Sequence, residues 1–132
     1  LGWPPAEVRS ARVVGAPVER YAVAELDLGG AATRLACSWQ LPVGQECMLE
    51  ATFYGADRAA SFRNLGGSFY DFVAERRTAT GTEPLAEPPD DWGGRAIVEW
   101  ARAVAAGTGF DPAAERFVES AAVVDAIYRA AT

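Results

Sequence analysis

The sequence predicts an α+β domain: a mostly antiparallel open sheet of six to seven strands, with two C-terminal helices on one face. Two observations predict this class. Up to about residue 85, short β-type segments follow one another across loops of a few residues, which favours antiparallel pairing. After residue 87 the apolar residues recur at helical spacing instead. The length of 132 residues is typical of one domain with one core.

The strand predictions depend on alternation and on turn residues. Residues 18–28 alternate, with Ala24 and Leu26 on one side and Glu25 and Asp27 on the other. Gly29-Gly30 follows, and glycines tolerate the positive φ that a two-residue hairpin turn requires. By these criteria the predicted strands span residues 7–15, 18–28, 32–40, 45–54, 58–64, 68–76 and, as a short last strand, 78–85.

The predicted fourth strand has one apolar face and one mixed face. The apolar face carries Cys47, Leu49, Ala51 and Phe53. Helices on one side of a sheet leave its other side open. The mixed face, with Met48, Thr52 and Tyr54, is of a kind that suits an interface. We therefore expect a homodimer packed sheet on sheet through these residues; the alternative is a monomer whose open face is solvated or covered by another domain.

Two helices are predicted after the strands. Pro88-Pro89 ends the sheet region, and Asp90 or Asp91 then serves as the N-cap of the first helix rather than as a catalytic acid. Asp111-Pro112 predicts a second N-cap with proline at the first helical position. The stripe expected to face the sheet from this terminal helix consists of Phe117, Ala121, Val124 and Tyr128.

The composition excludes several chemistries. All 12 basic residues are Arg, and the chain has no Lys and no His. Without an imidazole, no Ser-His-Asp or Cys-His system can form. Without Lys there is no Schiff base and no P-loop, and two cysteines cannot build a four-thiolate zinc site. The net charge of −6 argues against nucleic acid as a partner. No apolar run is long enough for a membrane span, and the N-terminus does not resemble a signal peptide.

The two cysteines are expected on neighbouring strands. Cys37 and Cys47 flank a turn near Pro42, so a disulfide between them is conceivable. A shift of one residue in register would place them on opposite faces. Buried free thiols are the preferred interpretation, because free cysteine behaves as a small core residue.

Candidate ligand contacts come from aromatic and basic side chains. Phe69, Tyr70 and Phe72 could stack on a sugar ring or a nicotinamide, although strand aromatics more often belong to a core or an interface. Arginines could clamp an anionic substrate, but scattered arginines are usually solvated. The arginines considered are Arg34, Arg63 and Arg95.

Several segments together carry a resemblance to a known family. They are the terminal stretch 111–131 with its Ala126-Ile127-Tyr128 signature, Glu50-Ala51-Thr52-Phe53-Tyr54-Gly55, Ser61-Phe62-Arg63-Asn64, Gly67-Ser68-Phe69-Tyr70-Asp71-Phe72 and Pro88-Pro89-Asp90-Asp91-Trp92-Gly93-Gly94-Arg95. In this order they resemble the C-terminal domain of the Gfo/Idh/MocA oxidoreductases over essentially the whole chain.

The resemblance implies the C-terminal substrate-cleft and oligomerisation domain of a cytoplasmic NAD(P)-dependent oxidoreductase, acting on a substrate such as a sugar or polyol. In that family an N-terminal Rossmann domain binds NAD or NADP, and the catalytic Lys and His lie upstream of this region. None of those motifs is present, so no catalytic, cofactor-binding or metal-binding residue is carried over. We expect a fragment, cut after a helix ended by Leu1-Gly2 and inactive alone. The alternative is a non-catalytic module that self-associates or binds a small molecule.

Overall fold

A computed structural model of the chain describes residues 4–89, 92–109 and 111–132. In these residues, seven antiparallel strands and two C-terminal α-helices form an α+β fold, which confirms the predicted class. The strands divide into a three-stranded and a four-stranded sheet, so the expectation of one open sheet is corrected. The chain forms two compact units, residues 1–41 with 110–132 and residues 42–109.

The secondary-structure elements are shorter than predicted at several ends. Their bounds are β1 Ala6–Val14, β2 Tyr21–Leu28, β3 Ala31–Ser38, β4 Glu50–Tyr54, β5 Ala59–Asn64, β6 Phe72–Thr78, β7 Gly81–Ala86, α1 Trp92–Ala105 and α2 Arg116–Ala130. Strands β4 and β6 begin later than predicted. The residues before them are bound by the side chain of Asn64 and by single backbone hydrogen bonds from Asn64 to Leu49 and from Leu65 to Asp71.

The first unit contains the sheet β1-β2-β3 and helix α2. The hairpin predicted at Gly29-Gly30 is confirmed, with φ values of 61° and 92° and pairing of Leu28 with Ala31. The alternation along β2 is also confirmed, since Ala24 and Leu26 are buried and Glu25 is exposed. Both buried side chains pack with Ile127 of α2, and this cluster forms the core of the unit. Helix α2 lies against β1, at one side of the sheet.

Helix α2 presents a different stripe to the sheet from the predicted one. Ile127 is buried and Val123 packs against the core, whereas Phe117 is 76% exposed. A 3₁₀ turn at Pro112–Glu115 precedes the helix, and its N-cap is Glu115, not Asp111. The prediction was wrong because α2 has apolar residues on two neighbouring faces, and spacing alone does not choose between them. Val124 and Tyr128 lie on the flank of the buried stripe.

The second unit contains the sheet β4-β5-β6-β7 and helix α1. Helix α2 packs on β1 within the first unit, whereas α1 belongs to the second unit, so the expectation of two helices on one face of one sheet is corrected. Helix α1 keeps large apolar side chains exposed, among them Ile97 and Trp100. No helix in the described part of the chain is long and apolar enough to cross a membrane. The predicted caps at Asp90 and Asp91 lie outside the described residues.

Candidate binding surfaces

The three aromatic residues predicted to contact a ligand occupy two different environments. Phe72 is buried at the start of β6, and its ring stacks on Phe62 with 4.9 Å between ring centroids and an interplanar angle of 2°. Phe69 and Tyr70 lie in the preceding loop and are 47% and 75% exposed. Phe72 therefore stabilises the sheet, while Phe69 and Tyr70 are available to a partner or ligand.

The loop that carries Phe69 and Tyr70, residues 65–71, is braced by the buried side chain of Asn64. The Asn64 amide nitrogen lies 3.2 Å from the carbonyl oxygen of Cys47 and 2.9 Å from that of Ser68. Its Oδ1 accepts a hydrogen bond of 2.9 Å from the N–H of Leu49. One amide thus joins the loop to the segment before β4. We call residues 65–71 the aromatic loop.

A second set of hydrogen bonds shapes the aromatic loop itself. The Ser68 hydroxyl accepts from the N–H groups of Tyr70 and Asp71, and donates to the Asp71 carboxylate at 2.8 Å. Gly67 has φ 80°, and a Cβ there would lie 2.9 Å from the backbone nitrogen of Glu46. A larger residue at position 67 would therefore force the two segments apart. The exposed side chains of Phe69 and Tyr70 therefore lie on a loop whose conformation is stabilised by hydrogen bonds.

Of the predicted interface residues, Thr52 and Tyr54 lie on the charged side of the second sheet, and Met48 lies in the segment before β4. Met48 and Tyr54 are exposed, whereas Thr52 is half-buried and donates a hydrogen bond to the Glu50 carboxylate at 3.1 Å. Across the strands, this side also carries Glu75 with its arginine partners. The opposite side exposes Phe53 and Phe62, at 61% and 45%. Among the described residues no helix packs on this side, so the predicted apolar face of the fourth strand keeps Phe53 exposed.

The first unit contains a small apolar cleft beside α2. Because α2 lies over β1, the same face of β2 and β3 is left partly uncovered, and Leu35 and Cys37 of β3 are exposed there. The cleft has a volume of about 220 Å³. Its main lining residues are Ala22, Leu35, Cys37, Trp39, Val124 and Tyr128.

One polar pair lies at the cleft. The Tyr128 phenol donates a hydrogen bond to the Glu19 carboxylate. This bond lowers the pKa of Glu19 and raises the pKa of Tyr128 from their ordinary values. The pair therefore stays as a neutral phenol and a charged carboxylate near neutral pH. A phenol with a raised pKa gives up its proton less readily, so the pair is suited to orienting a bound group by hydrogen bonding.

The two cysteines do not lie on neighbouring strands. Cys37 belongs to β3 of the first sheet, and Cys47 precedes β4 of the second. Both are free, and Cys37 is exposed instead of buried. Cys47 is half-buried, and its sulfur lies 3.1 Å from the Asn64 amide nitrogen. The predicted turn does not join paired strands because residues 39–49 form no strand.

The three arginines considered as an anion clamp have separate surroundings. Arg34 lies on the outer face of the first sheet, beside a shallow depression that also contains Arg9 and Asp27. Arg63 in the second unit lies 3.8 Å from the Glu75 carboxylate. Arg95 lies on α1. Among the described residues, no three His, Cys, Asp or Glu side chains are grouped to hold a metal ion.

Comparisons with protein-family models, with curated proteins and with solved structures found no match to this chain. A function for the chain is therefore argued from the chemistry of its surfaces. Exposed apolar groups lie on the aromatic loop and beside Phe53 and Phe62 in the second unit, and in the cleft of the first unit.

Proposed function

We propose that this chain is a substrate-cleft and self-association domain of an NAD(P)-dependent oxidoreductase of the Gfo/Idh/MocA type. The observation that carries the proposal is the incomplete covering of the first sheet. Helix α2 covers β1, while Leu35 and Cys37 on the same face remain exposed. A face covered on one side only is suited to packing against another domain, a substrate or a second copy.

The volume of the cleft is that of one part of a substrate site and not of a complete site. Small-molecule sites usually enclose about 300–1,000 Å³, and this cleft has about 220 Å³. It is lined mainly by apolar side chains, with the Glu19–Tyr128 pair as its hydrogen-bonding group. Such a surface can form one wall of a larger site, in which Tyr128 and Glu19 orient a hydroxyl group of the substrate.

The glycine pair of the second unit is not placed as a dinucleotide loop would be. The segment Gly107-Thr108-Gly109 follows the C-terminal end of α1, where Gly107 has φ 71° and ends the helix. A dinucleotide loop instead connects a strand to the start of a helix. We therefore assign no hydride-transfer step to this chain. The proposal places NAD or NADP on an N-terminal Rossmann domain, and the cytoplasmic location stays a prediction.

Calorimetric titration of the isolated chain with NAD(H) and NADP(H) tests whether the cofactor binds to a domain other than this one. We expect no binding at micromolar nucleotide. Binding of any of the four would contradict the proposal, because the cofactor would then be held by this chain.

The protein encoded with its upstream sequence provides the second test. A strand, a Gly-rich loop and a Lys- and His-bearing segment before Leu1 would support the proposal, whereas a start codon directly before Leu1 would contradict it. In the longer protein, Tyr128→Phe should raise the KM for substrate while the Kd for nicotinamide nucleotide is unchanged. Tyr54→Phe, which changes an exposed phenol of the second unit, is the matched control.

A non-catalytic self-associating module is the second candidate. The observation that favours it is the free edge of β3, the last strand of the first sheet. Light scattering of the isolated chain distinguishes a dimer from a monomer of 14.0 kDa.

A further inference from the structure

Strand β3 is the least protected sheet edge in the described residues. Proteins usually protect edge strands with prolines, charges, bulges or shortness. Strand β1 has a register shift between Val8 and Ser10, β4 has only five residues, and β7 contains Pro84 and an irregular register. Strand β3 has eight residues in continuous register with β2, no proline, and Arg34 as its one charge.

The hairpin geometry determines which backbone groups point away from β2. Residues that close a two-residue hairpin normally exchange both hydrogen bonds, and such pairs then alternate along the ladder. Leu28 and Ala31 close this hairpin, and the bond from the N–H of Trp39 to the carbonyl of Arg20 continues the same alternation. The odd-numbered residues of β3 therefore bond to β2. The N–H and C=O groups of Ala32, Arg34 and Ala36 point to the free edge.

The sheet face beside this edge is apolar and only partly covered by α2. Leu35 lies opposite Ala24, and Cys37 lies opposite Ala22, on the face where α2 packs over β1 and against Ala24 and Leu26 of β2. Leu35 is 44% exposed although its neighbour Ala24 is 2% exposed. A strand added at the edge of β3 would extend the sheet and place apolar side chains beside Leu35.

We propose that β3 pairs antiparallel with β3 of a second copy, which joins the two three-stranded sheets into one of six strands. This inference rests on the self-association part of the proposed function and names the surface that carries it. A second copy is favoured because the strand is complementary to itself. Alternation requires that residues on the same face lie opposite each other.

One register places residues of the same face opposite each other and also keeps the two Arg34 side chains apart. A twofold axis at Arg34 would place two guanidinium groups directly opposite each other, which is unfavourable. A twofold axis at Leu35 places Leu35 opposite its own copy, Arg34 opposite Ala36 and Ala32 opposite Ser38. The outward-pointing groups of those four residues then form the new ladder, and the two leucines meet on the apolar face.

Ala36→Pro tests whether the free edge of β3 pairs with a second copy, and it leaves the hydrogen bonds between β3 and β2 intact. Proline removes the N–H that points outward and is tolerated at such edge positions. By sedimentation equilibrium we expect native dimers, with the dissociation constant roughly tenfold or more higher in the variant because two symmetry-related hydrogen bonds are lost. Ala60→Gly in β5 of the second unit is a control for general destabilisation, and circular dichroism checks that both variants fold.

A cysteine reporter tests the register independently. With Cys37 and Cys47 replaced by Ser, Leu35→Cys should form an intermolecular disulfide under mild oxidation, since the Cα atoms of a non-hydrogen-bonded pair lie about 4.5 Å apart, within disulfide range. Arg34→Cys in the same background should form it far more slowly.

The outcomes separate the two proposals. A native chain that is monomeric at all concentrations overturns both self-association and the β3 pairing. A dimer that is unaffected by Ala36→Pro and gives no Leu35→Cys crosslink overturns the β3 pairing alone. Efficient crosslinking of the native chain through Cys37 overturns the Leu35-centred register.

Discussion

Tyr128, near the end of α2, donates a hydrogen bond to Glu19, which lies 109 positions earlier in the turn between β1 and β2. The next residue toward the N-terminus, Ile127, is buried against Ala24 and Leu26. The bond and the buried side chain together determine which face of α2 meets the sheet. The terminal helix is thereby joined to the N-terminal hairpin, and this contact forms the core of the first unit.

Ile127→Ala should destabilise the protein more than any truncation on the predicted stripe. Ile127 is 7% exposed and packs in the core cluster, so we expect a loss of about 2–5 kcal/mol. Phe117→Ala removes a side chain that is 76% exposed and should cost less than about 1 kcal/mol. Urea unfolding of both variants measures the difference. Equal losses would mean that α2 is rotated from the orientation described.

The stabilisation that the Glu19–Tyr128 hydrogen bond gives to the fold should be lost both at low pH and at high pH. The folded pKa of Glu19 is lowered by Tyr128, so its stabilising contribution is complete above its unfolded pKa and is lost as the pH falls through the lowered value. The folded pKa of Tyr128 is raised by Glu19, so its contribution is lost as the pH rises through the raised value.

Absorbance titration of the phenols checks the basic limit. One tyrosine should ionise above its ordinary range, and this transition should disappear in Tyr128→Phe. In Glu19→Gln the pKa of Tyr128 should move back toward its ordinary value, because the carboxylate no longer accepts the bond. An unchanged transition in that variant would contradict the pairing.

Asn64→Ala should loosen the aromatic loop and destabilise the second unit. Asn64 is 6% exposed, and its amide bonds the backbone of Cys47, Leu49 and Ser68. Removing it leaves partly buried backbone groups unpaired, at a cost of about 1–3 kcal/mol. Thr82→Ala, at an exposed position on β7, is the control. Thermal unfolding measures the loss, and limited proteolysis should cut within residues 65–71 faster in Asn64→Ala only.

Glu75 should titrate below the ordinary range of a glutamate. Its pKa is lowered first by the hydrogen bond from Arg77 and also by the charge of Arg63. The stabilisation is therefore present above the unfolded pKa of the carboxyl group and is lost as the pH falls through the folded value. NMR titration of the Glu75 carboxyl carbon should show its pKa rising in Arg77→Gln. Arg76→Gln, on the opposite face of β6 and paired with Glu83, should leave it unchanged.

Elements whose cause is local could be predicted well from sequence. The Gly29-Gly30 turn requires positive φ, and the alternation along β2 already separates Ala24 from Glu25, so the hairpin of the first sheet was predictable. The candidate site was less so. Phe69, Tyr70 and Phe72 are adjacent in sequence, but Phe72 stacks on Phe62 while the other two remain exposed. No periodicity distinguishes them, because burial depends on the neighbouring strand.

The sequence by itself determined the class of the protein: antiparallel strands first, helices last, and no Lys or His for the common nucleophilic mechanisms. Tertiary structure decided where the sheet is divided and which side of α2 is buried. The side chain of Asn64 binds the residues before β4, and on α2 Ile127 is buried whereas Phe117 is exposed. Both depend on contacts between residues distant in the chain. Local spacing does not predict such contacts, because the same pattern of apolar residues is compatible with one sheet or two and with either apolar face of α2 being buried.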